Sequence, residues 1–306
     1  MADAELRIIC GPTAAGKSAI ALALAAHAPA TIISADSRQV YRRFDIGTAK
    51  PTAEERQRVP HRGIDIVDPE QRYSAAAWAH DALGWIAEAA AEHRRPVVVG
   101  GTGFYLRALA MPLFEEPPLD PDRRAALGRL LDAMTTADLR RWCEHIDPAR
   151  AHLGRTQLLR AIEIGVLTGR PISEWHRQRA RAPAVRARWL VVNPRPAVLA
   201  RRIEERAEAM LRAGWEEEVR ELAQSVPEDA PAWNASGYRA VRDRVRGALT
   251  REAALSRIVV ETRQYAKRQR TWFRHQLPAD RVTWVDPTET GALDVARTWW
   301  MEGAAQ

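Results

Sequence analysis

The chain has 306 residues, 46% of them hydrophobic, enough for one large α/β domain plus a smaller one, which excludes an intrinsically disordered polymer. Its formal net charge of +7 and pI near 10.0 point to a polyanionic partner. The two cysteines, Cys10 and Cys143, lie far apart without a C-x-x-C partner, which argues against a disulfide framework or a zinc finger and suits a reducing cytosol.

Residues 6–10 read as a short buried strand. After them Gly11, Pro12, Thr13, Ala14, Ala15, Gly16, Lys17 and Ser18 satisfy G-x-x-x-x-G-K-[ST] at every fixed position. Residues 18–27, dense in Ala, Ile and Leu, read as a helix. A strand, a glycine-rich turn and a helix N-terminus make an anion cradle: unpaired backbone N–H groups point inward and the helix dipole favours negative charge. Lys17 adds a full charge, and Ser18 offers a hydroxyl to a Mg2+ ion bridging phosphate oxygens. A diphosphate or triphosphate is expected here. The apolar run over 19–33 belongs to this helix and the next strand, and no other stretch is apolar enough to cross a bilayer.

Residues 31–35 predict a second strand, ending at Asp36. A carboxylate at the carboxyl end of a parallel strand lies over the phosphate site. Asp36 admits three roles: a water-mediated magnesium ligand, a general base, or a helix N-cap. His61 could touch phosphate but is read as structural. Ser74 is the expected N-cap of an amphipathic helix over 75–92. Residues 95–99 predict a third buried strand, running into the glycine-rich turn that contains Gly100, Gly101, Thr102 and Gly103, where a hydroxyl would sit beside the first cradle.

The helical pattern from 113 to 187 is too long for a crossover connection and predicts an inserted helical domain. A core strand returns near 188–192, a second helical stretch runs to about 277, and a last strand follows at 281–285. Only three of the 46 basic residues are lysine, and a lysine surviving in so arginine-biased a chain points to a need for a compact ammonium at Lys17, Lys50 and Lys267. Between 262 and 274 five cations interleave with three aromatics, a pattern suited to phosphate contact plus base stacking. Residues 233–239 repeat it on a smaller scale.

In order, the blocks GPTAAGKS, ISADSRQVYRRFDIGTAKP, PHRGIDIVDPEQRYSA, PVVVGGTGFYLRAL, RAIEIGVLTGRPISE, SGYRAV and TRQYAKRQRTWFR resemble those of the tRNA dimethylallyltransferases, or tRNA isopentenyltransferases, from near residue 8 to near 275. The resemblance implies transfer of a dimethylallyl group from its diphosphate to the N6 amine of the adenosine 3′-adjacent to the anticodon. It implies an α/β fold, a P-loop NTPase-like parallel sheet flanked by helices, with an all-helical insertion domain. Residues 1–112 and 188–306 would form the catalytic core with C-terminal helices. Residues 113–187 would grip the tRNA anticodon stem-loop.

The resemblance also assigns roles. Asp36 matches the family's proposed base, Thr102 a position beside the transferring oxygen, and Lys17 the cradle cation; Arg124 matches a contact to the diphosphate or RNA. RNA contacts are expected from Asp36, Ser37, Arg38, Gln39, Thr102 and Arg124. Gln157, Leu158, Leu159, Arg160 and Ala161 follow, then Gly237, Tyr238 and Arg239, and finally Lys267, Arg268, Gln269, Arg270, Trp272 and Arg274. Where the family usually carries an Asp and an Arg, this chain has Gly154 and Gln157, with Arg155 as the substitute; Arg160 is kept. The partners implied are tRNA and dimethylallyl diphosphate, with Mg2+ as cofactor and no membrane. The expected state is a cytoplasmic monomer of bacterial type, lacking the C-terminal zinc finger of eukaryotic relatives.

Three other readings remain open on the sequence. An adenylate prenyltransferase shares cradle and donor but needs neither the insertion nor the basic-aromatic segment. A P-loop kinase needs a second acidic metal ligand after a hydrophobic run, and none is evident. An RNA-binding module needs no intact Lys17, Ser18 and Asp36.

Overall fold

The structure, a computed structural model, describes residues 5–111, 117–178 and 183–302. The chain divides into two compact units, one formed by Met1–Met111 with Ala184–Gln306 and the other by Pro112–Pro183.

In the larger unit the elements run β1 (Leu6–Cys10), α1 (Lys17–Ala25), β2 (Ala30–Ala35), α2 (Ala53–Arg58), β3 (His61–Arg62), α3 (Ala75–Ala91), β4 (Arg95–Gly100) and α4 (Gly103–Ala110). The smaller unit follows with α5 (Pro121–Asp132), α6 (Thr136–Ile146), α7 (Arg155–Thr168) and α8 (Ile172–Gln178). The larger unit resumes with β5 (Ala187–Val192), α9 (Pro196–Arg212), α10 (Trp215–Leu222), α11 (Tyr238–Val245), α12 (Arg251–Gln276), β6 (Val282–Val285) and α13 (Ala292–Met301).

The six strands form one parallel sheet in the order β3-β2-β4-β1-β5-β6. Its central strands are mostly apolar, because helices cover both faces of a parallel sheet and leave no wet side to encode; Arg7 in β1 and Thr31 and Ser34 in β2 are buried polar exceptions. β1 and β2 are buried at every residue. From β1 the chain crosses over β4 to reach β2, whereas from β4 it continues to β5 on the far side of β1. The neighbouring carboxyl ends of β1 and β4 therefore flank a topological switch point, the crevice where open α/β sheets bind ligands. Asp36 leaves the end of β2, next to β4.

Ser74 caps α3 as expected, accepting the Ala77 N–H at 3.1 Å. Among the described residues the edge strand β3 is the one strand the sequence did not predict. Its two residues, paired to Ile32 and Ile33, are too few for any periodicity to show. His61 sits there with Nδ1 2.7 Å from the Val59 carbonyl, in keeping with its structural reading. Both cysteines are free and buried.

Lys50 shows why a lysine persists in an arginine-biased chain. Its side chain is 2% exposed and donates to the Tyr41 carbonyl at 2.6 Å, while Asp45 and Asp65 each approach at 2.5 Å. A point charge with three rotatable donors fits three acceptors converging on one spot; a planar guanidinium does not. The loop from Asp36 to Lys50 is fastened by that ammonium.

The smaller unit packs its own core around Leu131, Leu139, Cys143, Leu158, Ile162 and Ile164. The expected boundary between residues 112 and 113 falls outside the described residues. The other expected boundary, at 188, comes one residue after β5 begins.

Candidate functional site

The turn after β1 is a phosphate loop in conformation as well as in sequence. Gly16 takes φ +97°, a left-handed geometry that a β-carbon disfavours, and from there the chain enters α1 with no side chain capping the first N–H groups. Those donors stay available to an anion. Lys17 curls back so that its Nζ donates to the Pro12 carbonyl at 2.8 Å. Burial lowers its pKa from 10.5 to about 8; Asp36 opposes that shift, and Arg206 adds to it. Ser18 stands exposed on the first turn of α1.

Asp36 and Thr102 meet across β2 and β4. One Asp36 carboxylate oxygen accepts the Arg38 N–H at 2.8 Å, fixing a tight turn. The Ser37 N–H donates to the Thr102 hydroxyl oxygen at 3.0 Å, and the Thr102 N–H donates to the Ala35 carbonyl at 3.1 Å. Two loops that bring a carboxylate and a hydroxyl together are thereby held to each other.

Thr13, Asp36, Ser37, Arg38 and Thr102 line one cavity of about 700 Å3, together with Arg206 from α9 and Tyr265, Arg268 and Trp272 from α12. Arg206 lies 3.4 Å from the Thr13 hydroxyl, and Arg202 donates to the Ala15 carbonyl at 3.1 Å. Burial lowers the Arg206 pKa, with Asp36 opposing. Burial and the Asp36 charge push the Tyr265 phenol up to about 12, so it is a hydrogen-bond donor at neutral pH. Phe104, 66% exposed, stands at the rim. The cavity thus joins the first residues of the phosphate loop and the Arg206 cation to a carboxylate and an aromatic wall.

A family model described as IPP transferase matches residues 39–276. The tRNA dimethylallyltransferase of Stenotrophomonas maltophilia (strain K279a) is 43% identical over 296 residues, covering 92% of each chain. That of Deinococcus radiodurans is 41% identical over 287 residues, covering 92% of this chain and 93% of the relative. The crystal structure of the full-length tRNA isopentenylpyrophosphate transferase from Bacillus halodurans superposes with a TM-score of 0.69 at 32% identity, covering 97% of this chain and 95% of that one.

The chain belongs to the IPP transferase family.

Within this family member, several residues expected to touch RNA are accessible to solvent. Arg239, Lys267, Arg268 and Arg274 are exposed, and Arg38, Arg270 and Trp272 are partly so. Others are not. Tyr238 is fully buried among Phe44, Trp215 and Trp233, and its hydroxyl donates to Glu218 at 2.6 Å; Gly237 is buried beside it. The Tyr238 side chain is a core strut, not an RNA contact. Replacing it with phenylalanine is expected to cost about 1.5 to 3 kcal/mol of stability, the range for a hydrogen bond to a charged partner. RNA affinity should stay unchanged; chemical denaturation and a binding titration read the two effects separately.

The Gln39 amide is likewise engaged inside the protein. It donates to the Thr48 and Ala49 carbonyls at 3.2 and 3.0 Å and accepts from the Ser34 hydroxyl at 2.9 Å. Gln269 is buried, with both amide atoms bonded to backbone. Neither side chain is presented to an RNA, because each satisfies protein groups that would otherwise be orphaned.

In the smaller unit Leu158 and Ala161 are fully buried and pack its core, so their side chains make no RNA contact; Gln157 is exposed, and Leu159 and Arg160 are partly exposed. Arg124 and Arg160 both pair with Glu163. Arg155 does not take over as an RNA contact: its guanidinium donates to the backbone carbonyls of Met134 at 2.6 Å and of Asp132 at 3.1 Å. It closes the end of α5.

Sequence reading missed Arg202 and Arg206, which belong to no local motif and sit in a helix that reads as an ordinary amphipath. The 262–274 segment flagged α12 but did not reveal which of its side chains turn inward.

Proposed function

We infer that this chain transfers a dimethylallyl group from dimethylallyl diphosphate to the N6 amine of the adenosine 3′-adjacent to the anticodon of tRNA. One observation supports it most: Thr13 and Ala14 of the phosphate loop line one cavity with Asp36 and Thr102, in a chain 43% identical to a tRNA dimethylallyltransferase.

The donor diphosphate lies on the uncapped N–H groups that open α1, with Lys17 and Arg206 supplying charge as the allylic C–O bond breaks and its electron pair goes to the leaving oxygen. The adenine amine is a weak nucleophile, since its lone pair is delocalised into the ring. As the new C–N bond forms at the allylic carbon, the amine gives up a proton, and Asp36 is its acceptor. Thr102, tied to Ser37 in the adjacent turn, fixes the hydroxyl next to the reacting centre. An extruded loop base enters an aromatic-lined cavity of this kind by stacking, with its edge left for hydrogen bonding.

Mg2+ fits the residues present. Among the described residues no three His, Cys, Asp or Glu side chains cluster to hold a metal. Mg2+ does not need them, because it keeps several waters and takes phosphate oxygens with one or two protein groups. The exposed Ser18 hydroxyl at the edge of the cradle is such a group, with Asp36 available through water. When bound, Mg2+ supplies further neutralisation of the diphosphate. The helical unit is proposed to grip the anticodon stem-loop, with Arg160 and Gln157 on its accessible side.

The exposed cations of α12 provide phosphate contacts. Lys267→Ala is expected to weaken tRNA binding several-fold and to lower the slope of log affinity against log salt by about one, leaving donor affinity unchanged. A fall in donor affinity instead would move Lys267 into the donor site. Labelled dimethylallyl diphosphate offered in parallel to tRNA and to AMP tests the reading as a whole. Label in tRNA alone is expected; label in AMP alone would mark a nucleotide prenyltransferase.

A further inference from the structure

Gln269 occupies an unusual place for a polar side chain: 6% exposed, in the C-terminal third of α12, wedged between the two turns that flank the switch-point crevice. Its Oε1 accepts the Thr13 N–H at 2.8 Å, and its Nε2 donates to the Gly101 carbonyl at 2.9 Å. Thr13 follows β1 and Gly101 follows β4, so one amide spans both lips of the crevice. The approach to the second lip is close. A β-carbon at residue 101 would lie 2.3 Å from Nε2, which only glycine avoids.

The first of these bonds bears on the cradle directly. The Thr13 N–H and the Pro12 carbonyl belong to the same planar peptide unit. That carbonyl accepts the Lys17 ammonium at 2.8 Å, so the unit is held on one side by Lys17 and on the other by Gln269. Rotating this peptide plane would carry the Lys17 anchor with it and re-aim the N–H groups that follow. Preorganised donors stabilise a leaving anion because no reorganisation is needed at the moment of bond breaking.

We propose that Gln269 is a positioning residue for the donor diphosphate, clamping the Pro12–Thr13 peptide to the turn after β4 so that Lys17 and the loop amides are fixed for the leaving group. It acts through Lys17 and the loop and touches no RNA, although it lies on the helix whose exposed cations do. The proposal rests on the reading of the cradle as the donor site.

Gln269→Met keeps the length and volume of the side chain and removes both hydrogen bonds. Inorganic diphosphate binding by calorimetry, the KM for dimethylallyl diphosphate, kcat and tRNA affinity are measured beside the unmodified protein. The expected result is donor KM and diphosphate Kd raised about tenfold or more, the weight of a lost buried hydrogen bond, with tRNA affinity within twofold. Gly101→Ala, which displaces the amide by crowding Nε2, is expected to give the same split and serves if the first variant does not fold. Weakened tRNA binding with donor KM unchanged would make Gln269 an RNA contact and overturn the proposal. So would no change in either, or equal losses of donor and RNA binding alongside a lower melting temperature. If the unmodified protein binds diphosphate but transfers nothing to RNA, the functional reading fails while the diphosphate comparison still decides the role of Gln269.

Discussion

Asp36→Asn is expected to lower kcat for dimethylallyl transfer by about 10²- to 10⁴-fold, the contribution of a positioned general base, while tRNA affinity stays within a few-fold of the unmodified protein. Asparagine is the informative substitution because the Asp36 carboxylate has a second job: it accepts the Arg38 N–H at 2.8 Å and shapes the turn that presents Ser37 and Arg38. An asparagine oxygen keeps that bond and loses the basicity. Asp36→Ala loses both and is expected to be at least as inactive. Single-turnover transfer with saturating tRNA and donor isolates the chemical step. A rate within tenfold of the unmodified protein for Asp36→Asn would reduce Asp36 to a turn former and leave the base to be found elsewhere.

Lys17→Ala is expected to cost about 10²- to 10³-fold in kcat/KM for the donor, the scale measured when one preorganised charge donor is removed from an anionic transition state. The unmodified protein should also show Lys17 in its pH dependence. Burial lowers the ammonium to about 8; the facing charges are Asp36, which opposes the shift, and Arg206, which deepens it, while the Cys10 thiol opposes it only weakly. Protonated Lys17 is the form that binds a diphosphate. Donor kcat/KM should therefore be constant below pH 7, fall through a midpoint near 8, and lose about tenfold per unit above it. Donor binding in that range should take up a proton. Because Asp36 favours the charged lysine, Asp36→Asn should move the midpoint lower. Donor kinetics from pH 6.5 to 9.5 at saturating tRNA read both effects, and a flat profile would mean that Lys17 stays charged throughout.

Much of this site was legible from the chain alone, for physical reasons that differ from residue to residue. The phosphate loop declares itself because strand, glycine turn, lysine and helix must occur in fixed order to make an anion cradle. β1, β2 and β4 are readable as short, mostly apolar runs without alternation, since both faces of the sheet are covered. Asp36 is readable because it ends such a run. β3 is not, as two residues carry no period.

Recognition of a motif also says little about burial. Tyr238 and Gln269 both stand in segments expected to meet RNA, yet one braces Glu218 and the other clamps two backbone turns. Their places depend on which side of α11 and α12 faces the core, and that is decided by packing over long sequence separations. Arg206 reaches the Thr13 hydroxyl from a residue 193 positions away. No local pattern announces such a contact, and an arginine-rich helix offers many equivalent candidates.

The reaction can be tested most directly by locating the product. The protein is incubated with dimethylallyl diphosphate, Mg2+ and a tRNA carrying adenosine immediately 3′ of its anticodon, and the RNA is digested and mapped by mass at single-nucleotide resolution. The predicted result is one added dimethylallyl group on N6 of that adenosine and nowhere else. Unmodified tRNA, or a prenyl group on another atom or nucleotide, would contradict it.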